Sequence, residues 1–152
     1  LRKSQAQPSP CCEPLMKRTD RRSDCPTNFA LQAFGDSWSL LVVRDLMFKG
    51  KRSFAEFAAS AEHIATNILT DRLRTLQRSG IIRRDGTGRA TRYSLTAKGV
   101  DLLPLMIELI AWSARYDVRS AAPAAFVRRA TRARGELLAE MRARLVLEHA
   151  AR

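Results

Sequence analysis

Between Ser53 and Leu95 the spacing of apolar residues changes from that of a helix to that of a strand, and no other feature of the chain constrains its fold as much. In Ser53-Phe54-Ala55-Glu56 the Glu follows the Ser by three residues, the capping-box spacing in which each side chain bonds the other's backbone N–H. This predicts a short helix to about Ser60, with Phe54 and Phe57 on its buried side. After the connection Ala61 to Ala65, Thr66 is expected to cap a second helix running to Ser79, with Leu69, Leu73 and Leu76 spaced four and three residues apart on one face. Gly80 stops that helix. Ile81-Ile82-Arg83-Arg84 and Thr91-Arg92-Tyr93-Ser94-Leu95 then alternate in character around the turn residues Asp85-Gly86-Thr87-Gly88, the pattern of a hairpin. Two helices joined this closely and followed by a hairpin predict a winged helix-turn-helix in a mainly α fold with one small β-hairpin.

The flanking segments extend this unit. Cys25-Pro26-Thr27-Asn28 opens a first helix, with Pro26 pre-setting φ, Thr27 available as a cap, Phe29, Leu31 and Phe34 as apolar positions, and Gly35 as its end. Asp36 or Ser37 offers a cap to the next helix, Trp38 to Phe48, whose Leu40, Leu41, Val43, Leu46 and Met47 are too apolar all round for a surface helix. Thr96 is expected to cap a helix reaching Tyr116, whose broad stripe from Leu102 to Trp112 wants a partner. After Ala121 to Pro123, a last helix is expected from Ala124 to about Ala150, with Phe126, Ala130, Ala133, Leu137, Met141 and Leu145 on one side. The division that follows is a disordered basic tail (1 to 24), a winged helix-turn-helix domain (25 to 117) and a C-terminal amphipathic basic helix (118 to 152). Met16-Lys17-Arg18 has the look of a translation start, so Leu1 to Leu15 are read as an upstream extension.

Charge and residue types narrow the function. The net charge is +12, from 27 Lys and Arg against 15 Asp and Glu, an excess that favours polyanionic partners. From Arg72 through Lys98 there are eight basic residues against one acid, Asp85. Cys11, Cys12 and Cys25 form neither an even disulfide set nor a zinc-ligand spacing, and His63 and His149 lie far from them. No nucleophile-elbow or phosphate-loop pattern appears. No metal, no cofactor and no enzymatic activity are therefore expected. With no apolar run long enough to span a bilayer, no membrane is expected, and cytoplasmic location is the default.

In duplex recognition, Arg and Lys fix a protein on phosphates while short polar side chains and Arg or Asn read base edges. With Leu69, Leu73 and Leu76 facing the core, the opposite side of their helix offers Thr66, Asn67, Thr70 and Arg74, with Arg72 flanking. Thr66, Asn67 and Thr70 are the base-contact candidates, and Asp71 is expected to orient an arginine. Arg89 and Arg92, at the wing tip and on its return strand, are placed to enter a minor groove or grip phosphate. Trp38 and Trp112 are read as core residues in preference to the lining of an effector pocket, and His63 as a loop residue.

The sequence resembles the HxlR-type family of winged helix-turn-helix transcriptional regulators, relatives of the MarR regulators. The resemblance is carried by Cys25-Pro26, Gly35-Asp36-Ser37-Trp38, Asn67-Ile68-Leu69-Thr70-Asp71-Arg72-Leu73, Gly80-Ile81-Ile82, Arg92-Tyr93-Ser94-Leu95-Thr96-Ala97-Lys98-Gly99, Leu103-Pro104 and Trp112. It implies a homodimer, built from the first helix and the long helix after the wing, that binds palindromic double-stranded operator DNA, most simply as a repressor. It also implies an oxidant or small-molecule effector in some members, with a cysteine at the position of Cys25 as the redox sensor. A packed residue at the dimer contact is the alternative for that thiol. Two features depart from the family. The wing is short and carries Gly86-Thr87-Gly88, and the tail after Asp117, with eight Arg against three Glu, is long. That tail reads either as an added oligomerisation helix or as a solvated basic helix. A winged-helix protein-interaction module is the competing reading for the whole chain.

Overall fold

The computed structural model describes residues 23–150, with side chains through residue 148. The expected basic tail, with Cys11, Cys12 and the start at Met16, lies outside the described residues apart from its last two. Eight helices and one hairpin follow: α1 (Pro26–Phe34), α2 (Ser39–Phe48), α3 (Phe54–Ala58), α4 (Thr66–Arg78), β1 (Ile82–Asp85), β2 (Arg92–Leu95), α5 (Ala97–Val100), α6 (Leu103–Tyr116), α7 (Ala124–Arg132) and α8 (Arg134–Ala150).

Local chemistry accounts for most of the boundaries. The Asp36 carboxylate accepts the N–H groups of Trp38 and Ser39 at 2.8 and 2.9 Å and so starts α2. The capping box of α3 is complete, with the Ser53 hydroxyl and the Glu56 carboxylate bonding each other's backbone. Three expectations are corrected. The N-cap of α1 is Cys25, and Thr27 lies inside the helix. Ala65 takes the N-cap of α4, and Thr66 is its first helical residue with no capping bond. The helix expected from Thr96 to Tyr116 is two helices. Thr96 does accept the Gly99 N–H at 3.1 Å, but Pro104 has no N–H and its ring would crowd the Val100 carbonyl, so the chain breaks at Asp101 and Leu102 and restarts.

A single core joins these elements. Val43, Leu46 and Met47 of α2, Phe57 of α3, Leu69, Leu73 and Leu76 of α4, Ile81 and Ile82 at the wing base, and Leu103, Met106 and Ile107 of α6 are all buried. The three α4 leucines each contribute on the order of 1.5 to 3 kcal/mol by leaving water, which fixes which face of α4 points outward. The strands pair antiparallel in the register Ile82 with Leu95 through Asp85 with Arg92. Gly99 lets α5 lie directly against the chain entering β1, because a Cβ there would sit 2.2 Å from the Ile81 carbonyl oxygen.

The last segment differs from the single helix expected. It bends at Ala133 (φ −134°, ψ 41°) into α7 and α8, which fold back on their own chain. Ala130, Leu137, Met141 and Leu145 are buried there, and Phe126 meets Phe48 of α2 edge to face at 6.1 Å. Across the same junction the Arg142 and Arg134 guanidinium groups pair with Asp101 and Glu108, and Arg52 pairs with Glu148 at 2.7 Å. Trp112, expected in the core, is instead 59% exposed on α6, where Leu105, Leu109 and Tyr116 are also exposed.

Candidate nucleic-acid interface

Helix α4 is held by its apolar face and by polar ties at both ends. At the first, Arg72 turns back from the exposed side and places Nη1 3.3 Å from the Asp36 carboxylate, while Nη2 contacts Asp71. Burial alone would push Asp36 upward. Hydrogen bonds from Ser39, Trp38 and Arg72 outweigh that and hold its carboxyl below the usual carboxylate range. At the far end Lys98 donates to the Ser79 carbonyl at 2.7 Å, a cation at a helix C-terminus, and stacks over the Phe29 ring at 5.6 Å. Burial lowers the Lys98 pKa. Arg72 and Lys98 are thus tied into the scaffold. Asp71 orients an arginine, as its position suggested.

On the open side of α4, Thr66, Asn67, Asp71, Arg74, Gln77 and Arg78 are exposed and Thr70 is half-buried. The Thr70 hydroxyl donates to the Thr66 carbonyl at 2.8 Å, so its oxygen faces an outside partner chiefly as an acceptor. Ile68, not anticipated for this surface, is exposed beside Asn67.

The wing is braced against the helix that precedes it. The Thr96 hydroxyl donates to the Gly80 carbonyl at 2.5 Å, and the Tyr93 N–H donates to the Arg52 carbonyl at 2.7 Å. Gly80 takes φ +68°, a left-handed conformation that lets the chain reverse from α4 into β1. At the tip, Gly86 (φ +78°) and a 3₁₀ turn over Gly88–Ala90 present Arg89 to solvent. Arg83 is held by Ser94 at 2.8 Å and Asp85 at 3.2 Å, whereas Arg92 is exposed on β2. A polar groove beside the wing is lined by Arg52, Arg83, Asp85, Arg92 and Ser94.

The structure therefore sorts the basic stretch into two kinds. Arg74, Arg78, Arg84, Arg89 and Arg92 have no carboxylate within ion-pair distance among the described residues. Arg72, Arg83 and Lys98 are occupied internally. Thr66, Asn67, Thr70 and Arg74 share the outer side of α4, and Arg89 and Arg92 lie on the adjoining wing. Sequence reasoning missed Arg52, whose loop position carries no periodic signal. It also missed the cluster around Asp45, a buried carboxylate that accepts from Arg44, Lys51 and Ser60 at 2.6 to 2.9 Å.

Cys25 sits at the N-cap of α1 with its side chain exposed. The backbone N–H groups of Asn28 and Thr27 at the start of α1 favour the thiolate and hold the thiol below its ordinary pKa, although the sulfur accepts no capping hydrogen bond. Among the described residues no group of three or more His, Cys, Asp or Glu could hold a metal ion, and no helix is long and apolar enough to cross a membrane.

Known proteins share this arrangement. The HTH-type transcriptional regulator sll1512 of Synechocystis is 36% identical over 88 residues, which span 56% of this chain and 64% of that protein. The crystal structure of PA1607 superposes with a TM-score of 0.60 at 34% identity, covering 69% of this chain and 74% of the other. The redox regulator HypR in its oxidised form gives a TM-score of 0.54 at 31% identity, covering 60% of this chain and 96% of HypR. The profile of the HxlR-like helix-turn-helix proteins matches residues 33–121, which contain α2 through α6 and the wing, and on that match this chain belongs to the HxlR-like helix-turn-helix family.

Proposed function

We propose that the protein is a homodimeric transcriptional regulator, most simply a repressor, that binds palindromic double-stranded DNA by laying α4 in the major groove and its wing on the adjoining backbone or minor groove. The observation that carries this reading is the division of α4. Its leucines are buried, while Thr66, Asn67, Thr70 and Arg74 lie on the outward side beside Arg78, Arg84 and Arg89, which form no ion pair among the described residues. Thr66, Asn67 and Thr70 read base edges through their short polar groups, Arg74 is positioned for a guanine edge, and Arg89 and Arg92 neutralise phosphates. Arg72 acts from behind, fixing the angle of α4 through Asp36. Dimerisation is supported by the apolar groups left exposed on the two helices that the family resemblance assigns to it, Leu31 of α1 and Leu105, Trp112 and Tyr116 of α6. Half-sites then lie about one helical turn apart.

The test is a footprint and gel shift on DNA flanking the protein's own gene, across a salt series. A protected palindrome whose affinity falls steeply with salt is the expected result. Absent or salt-insensitive binding would instead favour a protein-interaction module.

A redox input is favoured by one specific observation, the exposed Cys25 thiol held toward thiolate at a helix N-terminus. In this reading oxidation or electrophile addition at Cys25 releases DNA. A Cys25→Ser variant that diamide or quinone releases as readily as the native protein removes it.

A further inference from the structure

The C-terminal extension does more than cover the core. Between α2, α6 and the α7 to α8 hairpin lies an open groove of about 860 Å³, within the ~300 to 1,000 Å³ range of small-molecule sites. Its lining is mainly apolar, with Leu40 and Phe48 from α2, Met106 and Ile110 from α6, Phe126 from α7 and Met141 from α8. The family match ends at residue 121, so α7 and α8 form a wall that the matched region does not supply. The face is distinct from the exposed Leu105, Trp112 and Tyr116 stripe. On α6, Met106, Ile110 and Ser113 recur at helical spacing on the groove side, and Leu109 lies at the border between the two.

Charge decides which kind of molecule fits. Four cations, Arg44, Lys49, Arg129 and Arg144, line the groove against two acids, Glu62 and Glu140. Arg44 is committed to Asp45 and Glu62, and Arg129 to Glu140. Lys49 and Arg144 are held more loosely. Lys49 is 3.7 Å from Asp45, and Arg144 is 3.9 Å from Glu148 while donating to the Met47 carbonyl at 3.2 Å. That bond brings Arg144 to the end of α2 where Lys49 sits. Glu62 and Glu140, which also feel Lys49 and Arg144, are bonded to Arg44 and Arg129, so apolar walls with two cations in no close ion pair at one end are complementary to a molecule with a hydrophobic body and one negative group.

We propose that this groove is a binding site for a small amphipathic organic anion, an aromatic or aliphatic carboxylate or its sulfonate equivalent, seated with its body against Phe48, Phe126 and Met106 and its anionic group between Lys49 and Arg144. Its use as an effector site rests on the regulator reading above, whereas binding itself does not. Anilinonaphthalene sulfonate is the probe, with uncharged phenylnaphthylamine as its matched control, both titrated by fluorescence into the full chain. The native protein is expected to bind the sulfonate at one site per protomer. Lys49→Gln combined with Arg144→Gln, two exposed changes that leave the core intact, is expected to weaken the sulfonate about tenfold and leave the uncharged control unchanged. Ser113→Trp, which fills the groove from α6, is expected to abolish both. Sulfonate affinity that is indifferent to the double substitution, or probe binding that survives Ser113→Trp, overturns the proposal. So does probe binding that disappears as the protein self-associates, because a second copy would then be what covers the groove. Loss of operator binding by the native protein would sink the regulator reading and leave these fluorescence results standing.

Discussion

Replacing Gly99 by Ala opposes two effects whose sizes are far enough apart to predict the outcome. In a helix Ala is favoured over Gly by about 1 kcal/mol, so propensity alone makes Gly99→Ala stabilising. The packing says otherwise. A Cβ on Gly99 would lie 2.2 Å from the Ile81 carbonyl oxygen, where ordinary contact begins near 3.4 Å, and 3.0 Å from the Leu95 side chain. The obstacle is backbone, so α5 and the Ile81 segment entering β1 must separate by roughly 1 Å, and overpacking of this kind costs about 1 to 3 kcal/mol. The same carbonyl accepts the Thr96 N–H at 3.0 Å and the Thr96 hydroxyl at 3.1 Å, and weakening both adds about 1 kcal/mol. The net expectation is a destabilisation of about 2 kcal/mol and a fall in Tm of roughly 5 to 10 °C. Thermal unfolding followed by circular dichroism, paired with urea titration, measures it. An unchanged or raised Tm would show that α5 does not rest on the wing strand as described, and the bracing of wing to helix would have to be rebuilt.

Four further outcomes are expected. Gly135→Ala, near the start of α8 with nothing within 4 Å of the added carbon, should stabilise by a few tenths to about 1 kcal/mol in the same unfolding assay. In gel shifts, Arg74→Ala should cost about 1 to 3 kcal/mol on the operator and little on random DNA, whereas Arg89→Ala should weaken both and lower the salt slope by about one. Alkylation of Cys25 by iodoacetamide should reach half its maximal rate at a lower pH than for a cysteine in an unstructured peptide, and a half-point at or above the peptide's would contradict the influence of the Asn28 and Thr27 N–H groups. Glu62 is pushed down to about 2, first by its hydrogen bond from Arg44, so its contribution to stability is present above its ordinary value of 4.5 and drains away as pH falls toward 2. Glu62→Gln should therefore remove part of the loss in urea stability over that window, and superimposable acid limbs would refute the pairing.

The order of elements was legible because their signals are local. The Ser53 to Glu56 capping box, the Leu69, Leu73 and Leu76 spacing, Gly80 and the Asp85 to Gly88 turn each act within a few residues, and each forms where expected. What the sequence concealed depends on distant partners. The bend at Ala133 has only Gly135, two residues on, as a local signal, and occurs where Arg134 reaches Glu108 and the Pro104 carbonyl, 26 and 30 residues away. Thr66 has the composition of a cap, but the preceding turn, with His63 at φ +52°, brings Ala65 to that position instead. Trp112 lies on an apolar stripe, and periodicity does not distinguish a stripe buried by its own chain from one left for another molecule. The α4 candidates were legible as a face because burial of one side of a helix fixes the other. The separation of Arg72 from Arg74 was not, since it turns on Asp36, a residue two elements earlier.

The same long-range pairings explain why an excess of +12 becomes directional. A uniform coat of arginine would attract any polyanion from any side. In this fold the acids are used where they hold the scaffold together. Asp36 restrains Arg72, Asp45 and Glu62 restrain Arg44, and Asp101, Glu108 and Glu148 receive Arg142, Arg134 and Arg52 across the junction with α7 and α8. Exposed pairs of this type are worth little individually, about 0 to 1 kcal/mol, so stability is a weak account of what they accomplish. Their larger effect is on the field. Arg134 and Arg142 of the extension are neutralised by core carboxylates and Arg52 of the core by Glu148 of the extension, whereas Arg128 and Arg132 of α7 form no ion pair among the described residues. Arg74, Arg78, Arg84 and Arg89 of α4 and the wing, in no ion pair among the described residues, remain available to attract a phosphate backbone.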